Sequence, residues 1–138
     1  MAVAKKVLLD TNFLLIPAQF GVDIFAELER VCDFKYEVGV LDATVAELEG
    51  ISASGRAAAK DRKAARLGMQ LIASQGVRIY KPERKVFKST DKAILEFASA
   101  GNKDVIVATQ DRELKRLLKA KGVRVAVLRQ GSHIVLDG

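Results

Sequence analysis

The feature that most constrains the fold is an alternation of short apolar runs with segments of helical periodicity. The runs are four or five residues long and rich in Val, Leu and Ile, which is typical of buried strands. In chain order they are Lys6–Leu9, Glu37–Leu41, Val77–Tyr80, Val105–Ala108 and Arg124–Leu128. Because strands that alternate with helices are joined by right-handed crossovers, this order predicts an α/β fold with a mostly parallel, five-stranded sheet.

Helical periodicity is clearest in three intervals, where apolar residues recur on one face. The first face contains Ile24, Leu28 and Val31. The second contains Ala93, Ile94, Phe97 and Ala98, and the third contains Leu114, Leu117 and Leu118. Gly122 follows the third face and is predicted to end that helix. Ser89 or Thr90 is predicted to be the N-cap of the second. The segment Gly50–Gly55 (GISASG) indicates a loop between two helices.

The length and composition fit one aliphatic domain, which we expect to span positions 1–138. Hydrophobic residues make up 49% of the chain and aromatic residues 6%, so the core must consist mainly of Val, Leu, Ile and Ala. Cys32 is the single cysteine, which excludes an internal disulfide and a cysteine-based zinc site. A cytoplasmic protein is the simplest interpretation of this cysteine content, and because no apolar run approaches about 20 residues, we expect no membrane span.

Acidic residues follow four of the five predicted strands. Asp10 comes directly after the first strand and Asp111 shortly after the fourth, while Glu47 and Asp91 lie near the starts of helices after the second and third. Ligands bind at the carboxyl ends of strands in an open parallel sheet, so these four carboxylates are expected at one edge. Each has a simpler interpretation: Asp10, Asp91 and Asp111 as helix N-caps, and Glu47 as a solvated residue. Asp42 is better interpreted as an N-cap than as a ligand.

Four converging carboxylates cannot all stay ionised without a countercharge. A divalent cation is the usual solution, and Mg²⁺ and Mn²⁺ both take oxygen ligands and hold phosphate oxygens in their open positions. The chain carries 23 basic and 17 acidic residues, a net charge of +6, and such a charge draws polyanions such as nucleic acid or an anionic membrane. A basic surface around an acidic metal site suits hydrolysis of a phosphodiester bond.

Four sequence motifs at these acids together resemble the PIN-domain nuclease family. They are VLLDTNFLL (7–15), ATVAELEG (43–50), STDKAILEFA (89–98) and VIVATQDRELKRLL (105–118). Within the family, the chain looks most similar to the branch that contains the rRNA-processing PIN nucleases and their archaeal relatives. The DTNFLL opening, the VAELE helix and the closing VLRQGSHIVLDG support that placement.

The resemblance implies a three-layer α/β/α fold and Mg²⁺- or Mn²⁺-dependent hydrolysis of single-stranded RNA. Carried over to this sequence, it makes Asp10, Glu47, Asp91 and Asp111 the catalytic metal ligands. It also implies that Asn12 or Thr109 hydrogen-bonds those ligands or the phosphate. The branch usually carries two adjacent acids in the third motif, and here Lys92 replaces the second one. This substitution either adds a phosphate contact or weakens one metal position. The family also suggests a homodimer.

Basic residues are concentrated between the second and third acidic motifs. Residues 56–88 hold ten basic groups and two acidic ones, a local balance of +8 that exceeds the balance of the whole chain. We predict RNA contacts there and beside the site, although a solvated helix face is the common alternative. The predicted RNA-binding residues are Arg56, Lys60, Arg62, Lys63, Lys85, Lys88, Lys92 and Arg112. His133, the single histidine, is predicted to be a surface or strand-edge residue.

Three functions fit these patterns. The first is a metal-dependent endoribonuclease acting on single-stranded RNA, with precursor rRNA as the expected substrate. The second is a toxin-type PIN ribonuclease paired with an antitoxin. The third is a non-catalytic RNA-binding factor in ribosome assembly, which Lys92 leaves open. Metal-independent RNA binding without cleavage would indicate the third function, and a partner antitoxin would indicate the second.

Overall fold

One sheet with helices on both faces organises the chain. The computed structural model describes residues 4–82, 89–100 and 104–137, and within them the sheet has six strands in the order β3-β2-β1-β4-β5-β6. The strands are β1 Lys5–Leu9, β2 Tyr36–Leu41, β3 Arg78–Tyr80, β4 Val105–Ala108, β5 Arg124–Arg129 and β6 His133–Asp137. The first five strands run parallel, and β6 pairs antiparallel with β5.

Six helices occupy the described residues and form the outer layers. They are α1 Thr11–Phe20, α2 Ile24–Val31, α3 Asp42–Ala53, α4 Ala59–Ser74, α5 Thr90–Ala100 and α6 Arg112–Ala120. Buried side chains of α1 to α4 pack on one face of the sheet, and those of α5 and α6 pack on the other. The predicted three-layer α/β/α architecture is therefore confirmed. No helix in the described part of the chain is both long and apolar enough to cross a bilayer.

The central strand explains why the apolar runs are continuous. In β1, Val7 and Leu9 point into the core beneath α1 to α4, and Leu8 points into the core beneath α5 and α6. Successive strand residues face opposite sides, so a strand covered on both faces must be apolar throughout. On the first face, α1 and α4 approach closely at Gly68, where an added Cβ would lie 3.0 Å from the Leu14 carbonyl oxygen.

The prediction of five strands was wrong by one, because β6 was not recognised. The turn from Arg129 to Ser132 reverses the chain, and the Ser132 N–H donates to the Arg129 carbonyl at 3.1 Å. Gln130 and Gly131 both have positive φ, at 55° and 63°, as a type I′ hairpin turn requires. His133 begins β6 at the margin of the sheet, which agrees with its predicted strand-edge position.

Some helix boundaries also differ from the predictions. Residues 50–53 of the predicted Gly50–Gly55 loop belong to α3, which continues to Ala53. Asp42 was predicted as an N-cap, but it is the first residue of α3, and its carboxylate accepts from the Ala43 N–H at 2.9 Å. The predicted helix stop is confirmed, since Gly122 has a φ of 76° and its N–H donates to the Lys119 carbonyl.

The outer edge of β6 is closed by two side chains of α2. Ile134 donates its N–H to the Glu27 carboxylate at 2.9 Å, and its carbonyl accepts from the Arg30 guanidinium at 2.9 Å. Glu27 and Arg30 also form an ion pair with each other. These bonds replace those that a further strand would make, so they satisfy the exposed backbone of an edge strand.

The strand order sets where a ligand can bind. Strand β1 has β2 on one side and β4 on the other, so the chain changes direction across the sheet beside β1. A crevice forms at the carboxyl ends of the strands at such a switch point. Leu9 and Ala108 are paired at the ends of β1 and β4, so Asp10 and Thr109 emerge side by side.

Candidate active site

Asp10 lies at the centre of a hydrogen-bond network at the ends of β1 and β4. Its side chain is 3% exposed, and one carboxylate oxygen accepts from the Thr11 N–H at 2.8 Å. The other oxygen accepts from the Thr109 hydroxyl at 2.7 Å and from the Asn12 amide at 3.1 Å. The hydrogen bonds predicted for Asn12 and Thr109 are thus present. Asp10 is also the N-cap of α1, so its simpler interpretation holds at the same time.

The turn after β4 is held by side chains rather than by regular secondary structure. The Gln110 N–H donates to the Asn12 side-chain oxygen at 3.0 Å, and the Asp111 N–H donates to the Thr109 hydroxyl at 3.1 Å. Asp111 is the N-cap of α6 and accepts from the Leu114 N–H at 2.8 Å. The turn therefore presents Asp111 from a fixed backbone, directly beside the Asp10 network.

Gln110 extends this network to β5. Its side-chain oxygen accepts from the Leu128 N–H at 2.7 Å, and its amide nitrogen donates to the Leu128 carbonyl at 3.3 Å. The amide group of Gln110 thus pairs with the Leu128 backbone as a neighbouring strand would. This clamp joins the site to the end of β5, and Gln110 was absent from the residues predicted for the site.

Glu47 and Asp91 approach from a different layer and are more exposed. Both residues lie on the surface, Glu47 in the second turn of α3 and Asp91 in the first turn of α5. The Thr90 hydroxyl donates to the Glu47 carboxylate at 3.2 Å, which links the two helices. The Ser89 hydroxyl accepts from the Lys92 N–H at 3.3 Å, so Ser89, one of the two predicted residues, caps α5.

The four carboxylates act on one another electrostatically. Burial raises the pKa of Asp10 to about 6, bonds from Thr109 and Thr11 lower it, and the charges of Asp91 and Glu47 raise it. Partial burial also raises the pKa of Asp91, and the charges of Asp111 and Glu47 add to that effect. These like charges disfavour ionisation of Asp10 and Asp91, so the acids of the candidate site lie close enough to influence one another.

The donor set suits a hard divalent cation, although the side chains do not yet enclose one. Oxygen atoms of Asp and Glu are the ligands that Mg²⁺ and Mn²⁺ prefer. In the described residues, no three His, Cys, Asp or Glu side chains stand in an arrangement that could hold a metal ion. Glu47 and Asp91 are both exposed, so their side chains have more room to reorient toward Asp10 than buried side chains would have.

Comparison with known proteins identifies the family of this architecture. The family described as "PIN like domain" matches residues 7–131. The chain belongs to the PIN-like domain family. It is 32% identical over 133 residues to a protein named Ribonuclease VapC4 from Methanocaldococcus jannaschii, and the match covers 96% of this chain and 97% of that protein.

Two solved structures share the fold at lower sequence identity. One is described as the PIN domain endonuclease Utp24; it has a TM-score of 0.74 at 22% identity, over 96% of this chain and 90% of that one. The other is described as a domain of a functionally unknown protein from Methanocaldococcus jannaschii; it has a TM-score of 0.60 at 22% identity, over 91% of this chain and 92% of that one. Both matches support the PIN-like fold alone.

The basic residues predicted to bind RNA occupy different environments in this PIN-like domain. Exposed positions are Arg56, Lys60, Lys63, Lys92 and Arg112. Arg62 is half-buried and donates from one guanidinium nitrogen to the carbonyls of Ala57 and Ser54, so it closes the α3–α4 connection. Lys85 and Lys88 lie outside the described residues. Lys92 and Arg112 each follow an acid of the site directly, at the starts of α5 and α6.

Sequence reasoning missed two polar residues of the site in the PIN-like domain, Gln110 and Thr90. Thr90 was considered as a cap, and its bond to Glu47 depends on how α3 meets α5. Gln110 lies between Thr109 and Asp111, where its position after a strand gave a weak signal. Its partner Leu128 is 18 residues away and contributes backbone atoms, which no sequence motif reveals.

Proposed function

We propose that this PIN-like domain is a metal-dependent endoribonuclease that hydrolyses phosphodiester bonds of single-stranded RNA, with Mg²⁺ or Mn²⁺ as cofactor. The observation that carries the proposal is the environment of Asp10. A carboxylate that is 3% exposed accepts its hydrogen bonds from the turns after β1 and β4, and the charges of Glu47 and Asp91 lie close enough to raise its pKa. Among the described residues, no Lys, Arg or His side chain pairs with the Asp10 carboxylate, so a bound divalent cation would supply its countercharge.

Asp10, Glu47, Asp91 and Asp111 are the residues that would hold the metal. A divalent cation bound there would polarise a phosphoryl oxygen and lower the pKa of water, which is the chemistry that phosphodiester hydrolysis needs. Thr109 and Asn12 fix the orientation of the Asp10 carboxylate. Gln110 fixes the turn that carries Thr109 and Asp111. Such bonds to ligand carboxylates commonly tune metal affinity.

Exposed cations beside the acids would hold the RNA backbone. Lys92 and Arg112 lie next to Asp91 and Asp111, and they would contact phosphates that flank the cleaved bond. Arg56, Lys60 and Lys63 are also exposed, before and along α4, and they would add further phosphate contacts. The name of the VapC4 relative, Ribonuclease, supports RNA rather than DNA as the substrate.

Two cellular roles are compatible with this activity, and they have different partners. In rRNA processing, depletion of the protein would cause precursor rRNA to accumulate. In a toxin role, expression of the wild type but not of Asp10→Asn would stop growth, and a small antitoxin would relieve the arrest. The chain is similar both to a structure described as the endonuclease Utp24 and to a protein named Ribonuclease VapC4. These two similarities do not decide between the cellular roles, so both experiments are needed.

Lys92 and the open arrangement of Glu47 and Asp91 favour a second candidate, a non-catalytic RNA-binding factor. That protein would bind RNA equally well with and without metal. It would show no cleavage under any metal condition, and the loss of Asp10 would leave its RNA binding unchanged.

The decisive experiment is cleavage of a labelled single-stranded RNA with Mn²⁺, with Mg²⁺ and with EDTA. We expect cleavage by the wild type with metal and a loss of at least about a thousandfold in Asp10→Asn, because one metal ligand is removed. Asp104→Asn is the matched control, since Asp104 lies before β4 at the opposite end of the strands, near Lys5 at 4.0 Å. Mn²⁺ should also raise the melting temperature of the wild type and not that of Asp10→Asn. Equal cleavage by the two Asn variants would refute the proposal.

A further inference from the structure

Phe20 is an exposed aromatic residue at the end of α1 that neither the acidic site nor the core uses. It is 54% exposed, and Ile79 is the other large hydrophobic residue of the described chain with high exposure, at 46%. A single exposed apolar side chain is common and needs no explanation by itself. Phe20 differs because it lines a pocket of about 350 Å³ together with Ala18, Gln19, Lys60 and Asp61.

The pocket lies along the same edge of the sheet as the acidic site. The Gln110 side chain joins that site to Leu128 at the end of β5, and the turn Arg129–Ser132 follows. The ring of Phe20 rests against this turn: an added Cβ on Gly131 would lie 3.2 Å from the ring. A glycine at this point leaves room for the ring beside the turn. A continuous series of contacts therefore leads from Asp10 to Phe20.

The chemistry of the pocket matches a nucleotide. An exposed aromatic face stacks on any base, and such stacking is sequence-tolerant. Lys60 supplies a cation for a phosphate, and the Asp61 carboxylate can accept from the amino or imino group of a base. Within the described residues, no hydrogen bond or ion pair engages the side chains of Lys60 and Asp61.

We propose that Phe20, Lys60 and Asp61 form a nucleobase subsite that positions the RNA strand for cleavage. The proposal rests on the proposed ribonuclease function and adds the place where the strand is held. Helix α1 has ten residues and so spans about 15 Å between Asp10 and Phe20. Stacked nucleotides rise by about 3.4 Å each, so the bound base lies within about five nucleotides of the cleaved bond.

The test uses a set of short labelled RNAs in which one abasic nucleotide is moved along the strand. Equilibrium binding is measured in the non-cleaving Asp10→Asn background, and KM and kcat are measured in the wild-type background. We expect Phe20→Ala to raise Kd and KM by between about fivefold and about a hundredfold, as loss of one stacked base does, with little change in kcat. Phe20→Tyr should retain most affinity, and Ile79→Ala, on the opposite edge strand β3, should change nothing.

The abasic series separates stacking from a structural effect. In the Asp10→Asn protein that retains Phe20, one position of the abasic nucleotide should weaken RNA binding as much as Phe20→Ala does. Combining that abasic RNA with Phe20→Ala should weaken binding little further. Additive effects, or an unchanged abasic profile in Phe20→Ala, would overturn the subsite. If the wild type cleaves no RNA, the proposed function fails, while the binding series in the Asp10→Asn background still decides the subsite.

A second variant tests the cation of the subsite. Lys60→Gln should reduce the slope of log affinity against log salt concentration by about one, because one phosphate contact is lost. An unchanged slope would remove Lys60 from the subsite.

Discussion

The acidic site has two halves that are built in different ways. The closed half follows β1 and β4 and contains Asp10, Asn12, Thr109, Gln110 and Asp111, which are joined by side-chain hydrogen bonds. The open half is carried by α3 and α5 and contains Glu47, Thr90, Asp91 and Lys92, and the Thr90–Glu47 hydrogen bond links its two helices. Asp10 and Thr109 are buried, whereas Glu47, Asp91 and Lys92 are exposed.

The difference indicates a division of roles within the proposed nuclease. A buried network holds its groups in fixed positions, and it is costly to disturb because its polar atoms have no access to water. Exposed helix residues keep rotamer freedom and can adapt to a ligand. We therefore expect substitutions in the closed half to affect both folding and activity. Substitutions in the open half should affect activity with little effect on folding.

The largest expected effect on stability comes from the charge of Asp10. Its pKa is about 6 in the folded protein and near 3.8 in the unfolded chain, so stability present below about pH 4 is lost as the pH rises through 6. Two pKa units correspond to about 3 kcal/mol. Urea denaturation in EDTA should show this loss for the wild type between pH 4 and 7, and Asp10→Asn should lack it. Parallel pH curves for the two proteins would show that Asp10 is solvated.

The next effect tests the link between the two strands of the closed half. Thr109→Val removes the hydroxyl that donates to Asp10 and accepts from the Asp111 N–H, while it keeps the shape of the side chain. We expect a loss of about 2 kcal/mol in the free energy of unfolding at pH 7 and a further rise in the pKa of Asp10. Thr109→Ser should recover most of this loss in the same denaturation assay. Equal stability of the Val and Ser variants would contradict the network.

A smaller effect tests the clamp between the site and β5. Gln110→Leu removes both bonds to the Leu128 backbone, and we expect a loss of about 1–2 kcal/mol because those backbone groups are partly buried. Gln70→Leu, at an exposed position of α4, is the control. If Gln110 positions the turn, cleavage should fall more than stability explains, and the metal concentration for half-maximal activity should rise. A loss of stability alone would mean that Gln110 only braces the fold.

The smallest expected effect on stability belongs to the open half. Glu47→Gln and Asp91→Asn should each change the free energy of unfolding by no more than about 0.5 kcal/mol, since both residues are exposed. Both variants should nevertheless lose cleavage in Mn²⁺, because each removes a proposed metal ligand. Thermal denaturation and the RNA assay, measured on the same preparations, compare the two properties directly. Losses of stability as large as that of Thr109→Val would remove the distinction between the halves.

Much of this architecture could be predicted from local patterns. The five parallel strands, the layer arrangement and the position of each acid follow from apolar runs and from the residue that comes after each run. Strand β6 was missed because Ile134 to Leu136 form a short apolar stretch after a turn, and no helix precedes it. The length of α3 was missed because Gly50 and Ser52 suggest a loop, although tertiary packing keeps Ile51 helical against the core.

The candidate site shows the same limit more sharply. Sequence position brings Asp10 and Thr109 to one edge, and the hydrogen bonds between them follow from strand pairing. The clamp of Gln110 on Leu128 depends on the exact end of β5, and the Thr90–Glu47 bond depends on the packing of α3 against α5. Both features are properties of the assembled layers, and local composition carries little information about them.

The Asp10–Thr109 bond joins residues 99 positions apart, and the Arg30–Ile134 bond spans 104 positions. A ribosome adds about 5–20 residues per second, so the first strand waits for several seconds before its partner turn is synthesised. Until then, the nascent chain has Asp10 but lacks the turn that orients it. We therefore expect the proposed enzyme to be inactive while it emerges beside a large body of RNA, and to gain its activity only after the fourth strand joins the sheet.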